Sequence, residues 1–253
     1  MRTLLDHPLV LLPVSLVFLW LATRVGAALQ RWHGPLDDAK RGDFDIVLGA
    51  TLTLLGLIVG FSFSMAASRY DMRKNYEAEE ANAIGTAYAR ADLLPSADAL
   101  KVHRLLREYI DLRARFYTIS DAQQRRDLGS ATGDTQIQLW GAVVAAASAA
   151  PNPVSAIVAT SMNDVLNSQG YAQAAAWNRI PLGAWVLLYM LGAVATAMIG
   201  HRFRIETRGY LLMLILPAVI ATAFFLIADI DCPGAGVIHI APENLVALAA
   251  TLG

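Results

Sequence analysis

Residues 60–95, GFSFSMAASRYDMRKNYEAEEANAIGTAYARADLLP, begin as membrane-grade apolar sequence and pass into a charged, helix-favouring run. Pro95 is the first proline of the stretch, and Gly85 is its only glycine after Gly60. Proline and glycine are the strongest local breakers of a helical pattern, so their scarcity predicts one helix that leaves a bilayer and continues beyond it. Such a helix could couple events in the membrane rigidly to a domain outside.

Composition agrees with a bilayer setting. Of 253 residues, 56% are hydrophobic and 16% charged, and the mean hydropathy is +0.45, too apolar for an ordinary soluble domain. A net charge of −1 gives no basic excess for gripping nucleic acid. One cysteine, Cys232, excludes an internal disulfide and any cysteine-rich metal site.

Four stretches, residues 8–25, 46–67, 181–200 and 210–228, are long enough to cross about 30 Å of hydrocarbon, which takes roughly 20 helical residues. The first has only Arg2 as a charged leader, an overlong apolar run and a weak cleavage site, so it reads as a retained span. Trp20, Trp32, Trp177, Trp185 and Tyr210 fall near the span ends, where amphipathic rings favour the interface. Between the second and third spans, DALKVHRLLREYIDLRARFY places Val102, Leu105, Leu106, Tyr109, Ile110 and Phe116 on one helical face. ISDAQQRRDLGSATGD, polar with two glycines, reads as a turn or loop. A third helix is expected over 135–149, ending at PNP because proline cannot continue it. A fourth follows, with Val154, Ile157, Val158, Ser161, Met162 and Val165 at helical spacing. The expected architecture is all-α and integral to the membrane. Residues 1–68 hold spans one and two, 69–178 an extramembrane helical domain continuous with span two, 179–229 spans three and four, and 230–253 a tail.

Orientation is balanced on charge. Arg24, Arg31, Lys40, Arg41, Arg202, Arg204 and Arg208 stand on one side, and Arg2, Arg69, Arg73, Lys74 and Arg179 on the other.

Within span two, Gly56, Gly60 and Ser64 have the small-xxx-small spacing that lets a neighbouring helix approach closely. Thr53, Leu57 and Phe61 form a second stripe, and Ser62, Ser64 and Ser68 add hydroxyls unusual on a lipid-facing helix. These residues either pack a monomeric bundle or face other copies. The charges beyond, including Glu77, Glu79 and Glu80, are expected to form a solvated face with local pairs such as Arg73 with Glu77.

GFSFSMAASRYD resembles the second-span pattern of bestrophins, which are pentameric anion channels: Gly60 and Phe61 are followed by Arg69 and Tyr70 at the membrane exit. EEANAIGTAYARADLLP, NRIP and LIADIDCPGAGVIHI resemble the bacterial membrane family labelled bestrophin-like. The resemblance implies a homo-oligomer in a bacterial inner membrane, pentameric on the bestrophin plan, with a cytoplasmic middle domain. It also implies a pore neck at Thr53, Leu57 and Phe61 that passes small inorganic ions, anions in bestrophins. Two positions depart from the pattern. Thr53 is more polar than expected there, and Asp71 stands where an aromatic or polar residue usually follows. No acidic cluster resembling the animal calcium clasp follows span four.

Catalysis finds no support in the sequence. His7, His33, His103, His201 and His239 are scattered, and Walker-type, GxSxG and HExxH motifs are absent. Cys232 lacks an activating His or Asp arrangement and reads as a bystander. Asp229 and Asp231, two carboxylates at a membrane exit, are too few to specify a cation and are expected to cap or to be solvated. No cofactor or metal is expected. The functional expectation is an oligomeric ion channel, and the alternative is a non-conducting, membrane-anchored interaction or sensor protein.

Overall fold

The computed structural model describes residues 5, 7–34, 37–119, 121–202, 210–234 and 236–252. Arg2, Arg204 and Arg208 lie outside them, as do the side chains of His33 and Tyr210. The described residues form helices and connectors with no strand. In chain order the helices are α1 (Pro8–His33), α2 (Asp38–Ala91), α3 (Ser96–Thr118), α4 (Ala122–Ala149), α5 (Pro153–Trp177), α6 (Leu182–Arg202), α7 (Tyr210–Asp231) and α8 (Glu243–Leu252). Four helical stretches are long and apolar enough to cross a membrane: Pro8–Trp32, Lys40–Ala91, Pro153–Arg202 (which includes α6) and Met213–Asp231.

The helix α2 runs unbroken for 54 residues. At 1.5 Å per residue it extends about 80 Å, well over twice the thickness of the hydrocarbon core. The chain divides into two compact units, one of Met1–Ser68 with Arg179–His239 and the other of Arg69–Asn178 with Ile240–Gly253.

In the first unit the tightest crossing joins α1 to α6. A β-carbon at Gly26 would overlap the Ala197 carbonyl, and one at Gly200 would overlap that of Thr23. Close backbone approach is how small residues hold helices together in lipid. Buried Trp185 and Phe224 pack edge to face at 6.5 Å, and Tyr189 meets Phe224 at 4.9 Å while hydrogen-bonding Ser15. Trp185 is therefore a core residue of the bundle, not the interfacial anchor its position suggested, because its ring lies between α6 and α7. Trp32 and Trp177 remain exposed. Valine at Gly26 or Gly200 must push backbones apart, a cost at the upper end of the roughly 1–3 kcal/mol typical of overpacking. Thermal melts in detergent are expected to fall for either variant, and an unchanged midpoint would contradict the crossing.

In the second unit Leu106, Tyr109 and Ile110 of α3 pack with Leu139 of α4, Met162 and Val165 of α5 and Leu245 of α8. The structure adds detail to three segments here. Residues 122–134 of the stretch read as a loop belong to α4, which starts at Ala122 because the Asp121 carboxylate accepts the Gln124 backbone N–H at 2.8 Å. Val154 and Ile157 share the helical spacing of α5 but lie exposed, while Val158, Met162 and Val165 are buried. The segment taken as a tail contains α8, which belongs to this second unit. As expected, α4 stops at Ala149; Asn152 then caps α5 reciprocally with Ser155.

Candidate functional site

Helix α2 turns Leu48, Leu55, Ser62 and Ala66 toward the first unit's interior and leaves the opposite side open. Only 17% of its most apolar window is buried by the chain, against 44% for α7. On the open side lie Thr53, Leu57 (51% exposed) and Phe61 (61% exposed), with Gly56, Gly60 and Ser64 beside them. A β-carbon at Gly56 or Gly60 would meet nothing within 4 Å. The small-residue spacing of α2 thus has no helix of the same chain upon it among the described residues, in contrast to Gly26 and Gly200. Of the three serines, Ser62 faces the bundle while Ser64 and Ser68 are exposed.

Thr53 donates its hydroxyl to the Gly49 carbonyl at 2.9 Å. With its only donor bonded back to the helix, Thr53 breaks the apolar character of the stripe less than its residue type suggests. Arg69 and Tyr70 are half-buried at the end of the apolar run, and Arg73 is buried.

Farther along α2 the glutamates depart from expectation. Glu79 is exposed, but Glu77 and Glu80 are buried. Glu80 accepts both Nε and Nη2 of Arg113, the latter at 3.0 Å, and the Tyr109 hydroxyl at 3.3 Å. Burial pulls the Arg113 pKa down, and the charge and hydrogen bonds of Glu80 outweigh it, so the pKa ends above its ordinary value. Burial first, and the Glu80 charge second, push the Tyr109 and Tyr117 hydroxyls upward, holding both neutral. Two parallel hydrogen bonds from Arg113 to the two Glu80 oxygens hold the pair together inside.

Glu77 accepts Asn244 Nδ2 at 2.6 Å and the Leu245 backbone N–H at 2.9 Å. Pro242, the residue before α8, has no side-chain acceptor, so a carboxylate from α2 serves as the cap of α8. At the other end Arg107 donates Nε to the Leu252 carbonyl at 2.6 Å, placing a cation where the helix dipole is negative. Glu77→Ala removes the cap, a change worth about 1–2 kcal/mol. Amide exchange over residues 243–252 is expected to quicken by roughly tenfold, and unchanged protection would show that α8 is held by its apolar side alone.

Asp229 and Asp231 are likewise buried, which overturns surface solvation for both. Asp229 accepts the backbone N–H groups of Val237 and Ile238, each at 2.8 Å. Asp231 accepts Ile180 N at 3.1 Å, just before α6, and Arg179 Nε at 3.4 Å. Arg179 also donates to the Leu5 carbonyl. These carboxylates already face N–H donors, an environment built for the anion itself and poorly suited to a cation. Among the described residues no group of three or more His, Cys, Asp or Glu could hold a metal ion. His103 stacks on Tyr88 at 4.0 Å and bonds its carbonyl, and His201 lies against Phe44. Cys232 is buried.

The bestrophin-like domain model matches residues 10–245. A mutated bacterial bestrophin homolog from Klebsiella pneumoniae has a similar fold, with a TM-score of 0.63 at 13% identity, covering 94% of this chain and 95% of that one. A second structure of a bacterial bestrophin homolog from Klebsiella pneumoniae gives 0.64 at 12% identity, covering 96% and 95%. A structure described as a membrane protein gives 0.64 at 13% identity, covering 95% of each chain. No curated protein matches in sequence. Identities this low speak for the fold alone, whereas the family match takes in nearly the whole chain. With four membrane-grade helical stretches, an all-helical fold and that match, the chain is an integral membrane protein and belongs to the bestrophin-like family.

Proposed function

We propose that copies of this chain assemble around a common axis in a bacterial inner membrane, five of them on the bestrophin plan, with an ion path between their α2 helices. The observation that carries this reading is the open side of α2: an apolar span only 17% buried by its own chain, with Thr53, Leu57 and Phe61 uncovered. Gly56, Gly60 and Ser64 on the same side would let copies approach closely. Rings of Leu57 and Phe61 would then narrow the path to a hydrophobic constriction that closes by losing water and opens when the helices splay. The second unit would lie in the cytoplasm, and α2, continuous into it, would carry its movements to the neck. Nothing in this scheme calls on a catalytic group or cofactor. The test is the mass of the detergent-extracted protein. A ring predicts a multiple of the 27.3 kDa chain, and a single chain would end the reading.

A second reading, a bilayer-tethered interaction protein, draws on two features of the second unit. Ile137, Trp140 and Val144 leave an apolar face exposed on α4, Ile137 at 73%. A groove of about 670 Å³ between α2 and α8 is lined by Asn82, Thr86, Arg90, Asn244, Leu248 and Thr251. This reading predicts vesicles no leakier than empty ones, whatever stands at Leu57 and Phe61.

A further inference from the structure

We infer that Asp71 makes the path favour cations where α2 leaves the membrane. This rests on the proposed function, since it requires the open side of α2 to face an axis, and it names the class of ion that such an axis would pass. On one α-helix, steps of seven residues return to nearly the same face, drifting by about 20° each time. Leu57, Ser64 and Asp71 are such steps on α2, and all three are exposed. The preceding positions of that face, Thr53, Leu57, Gly60 and Ser64, carry no charge. Asp71 is therefore the first ionised group on the face beyond the apolar run.

Its carboxylate accepts no hydrogen bond and makes no ion pair among the described residues. The neighbouring bases are turned elsewhere: Arg73 is buried, 5% exposed, and Arg69 is half-buried. Lys74 is exposed, but three residues on it sits about 60° around the helix from Asp71, and exposed Glu79 flanks the face on its other side. Next along the face come the neutral amides of Asn75 and Asn82. Repeated by symmetry, Asp71 would form a ring of carboxylates, and such rings favour cations. Its influence is local, because exposed charges are screened beyond about 8 Å at physiological ionic strength. A narrow mouth is where that range suffices. Anion preference, which the bestrophin resemblance suggests, would have to come from Lys74 at the edge of this face or from the Ser64, Asn75 and Asn82 donors, and Asp71 stands nearer the middle of the face than Lys74 does.

The experiment is a reversal-potential measurement in planar bilayers under a potassium chloride gradient. It compares the wild type and the Leu57→Ala/Phe61→Ala variant, each with and without Asp71→Asn or Asp71→Lys. Asp71 is exposed and unpaired, so its variants are expected to elute from detergent size-exclusion as the wild type does. Wild type and open-neck variant should pass potassium over chloride. Asp71→Asn should lower that preference by roughly fivefold, the effect of one unit charge at about 4 Å across water, with current retained. Asp71→Lys should reverse it. Chloride preference in the wild type, or a preference untouched by Asp71→Asn while current persists, overturns the inference and leaves the channel standing. Current absent from wild type and open-neck variant alike would instead remove the path itself, and this inference with it.

Discussion

Replacing Leu57 and Phe61 together by alanine is expected to raise ion flux through reconstituted liposomes by about tenfold or more. A barrier lowered by only about 1.4 kcal/mol gives that factor. Both side chains stand on the open side of α2 and neither is packed in its own unit's core. Alanine shortens them to a single methyl, so a constriction built from their rings would widen and stay wet. Thr53 one turn earlier has its hydroxyl bonded to Gly49, so it offers water little foothold that would mask the effect. Phe63 supplies the control. It is similarly exposed, at 44%, but points away from the stripe, and Phe63→Ala should leave flux unchanged. Equal flux from both alanine variants would mean that general loosening of the helix, and not a neck, had been measured.

Removing Glu80 is expected to be the most damaging single change in the second unit. The Arg113 and Glu80 side chains are 3% and 0% exposed, so Glu80→Ala leaves a guanidinium inside without its partner. Breaking a buried pair from one side costs about 3–5 kcal/mol, a large share of the roughly 5–15 kcal/mol that holds a typical domain together. Glu80→Gln keeps an acceptor but not the charge, and should also be severe. Exchanging both partners, Glu80→Leu with Arg113→Met, should recover most of the loss because no ion then remains buried. Denaturant unfolding followed by tryptophan fluorescence, with Trp140 and Trp177 in the second unit, measures this. A double variant as unstable as Glu80→Ala would show that shape at this point matters more than charge.

The reach of α2 was legible in the sequence because it depends on local chemistry: no proline before Pro95, one glycine after Gly60, and helix-favouring residues between. The presence of four apolar, membrane-grade stretches and the stop before PNP were legible for the same reason. What the sequence concealed were features set by residues far apart in the chain. Two glycines made the start of α4 look like a loop, at about 1 kcal/mol each against a helix. The cap at Asp121 and the burial of Leu128 and Thr132 favour the helix there. Ten residues of α8 are too few for a stable helix alone, and the carboxylate that caps it comes from Glu77. Glu77 and Glu80 looked like a solvated face because their partners, Asn244 and Arg113, lie far along the chain. The same holds for Asp229, whose donors are backbone N–H groups that no residue type announces. Thr53, Leu57 and Phe61 were legible as a stripe, and the structure adds that the described residues of their own chain leave them exposed. In the proposed assembly, other copies of α2 cover them.

The measurement that bears most directly on that assembly is thiol accessibility at Ser64, with Cys232→Ala removing the native thiol. Ser64→Cys lies on the open side of α2 within its apolar run. If copies of α2 enclose a wet path, a charged, membrane-impermeant thiol reagent will modify Ser64→Cys in vesicles and change the flux. A thiol that resists the charged reagent and reacts only with a lipid-soluble one would place this side of α2 against hydrocarbon, contradicting the account.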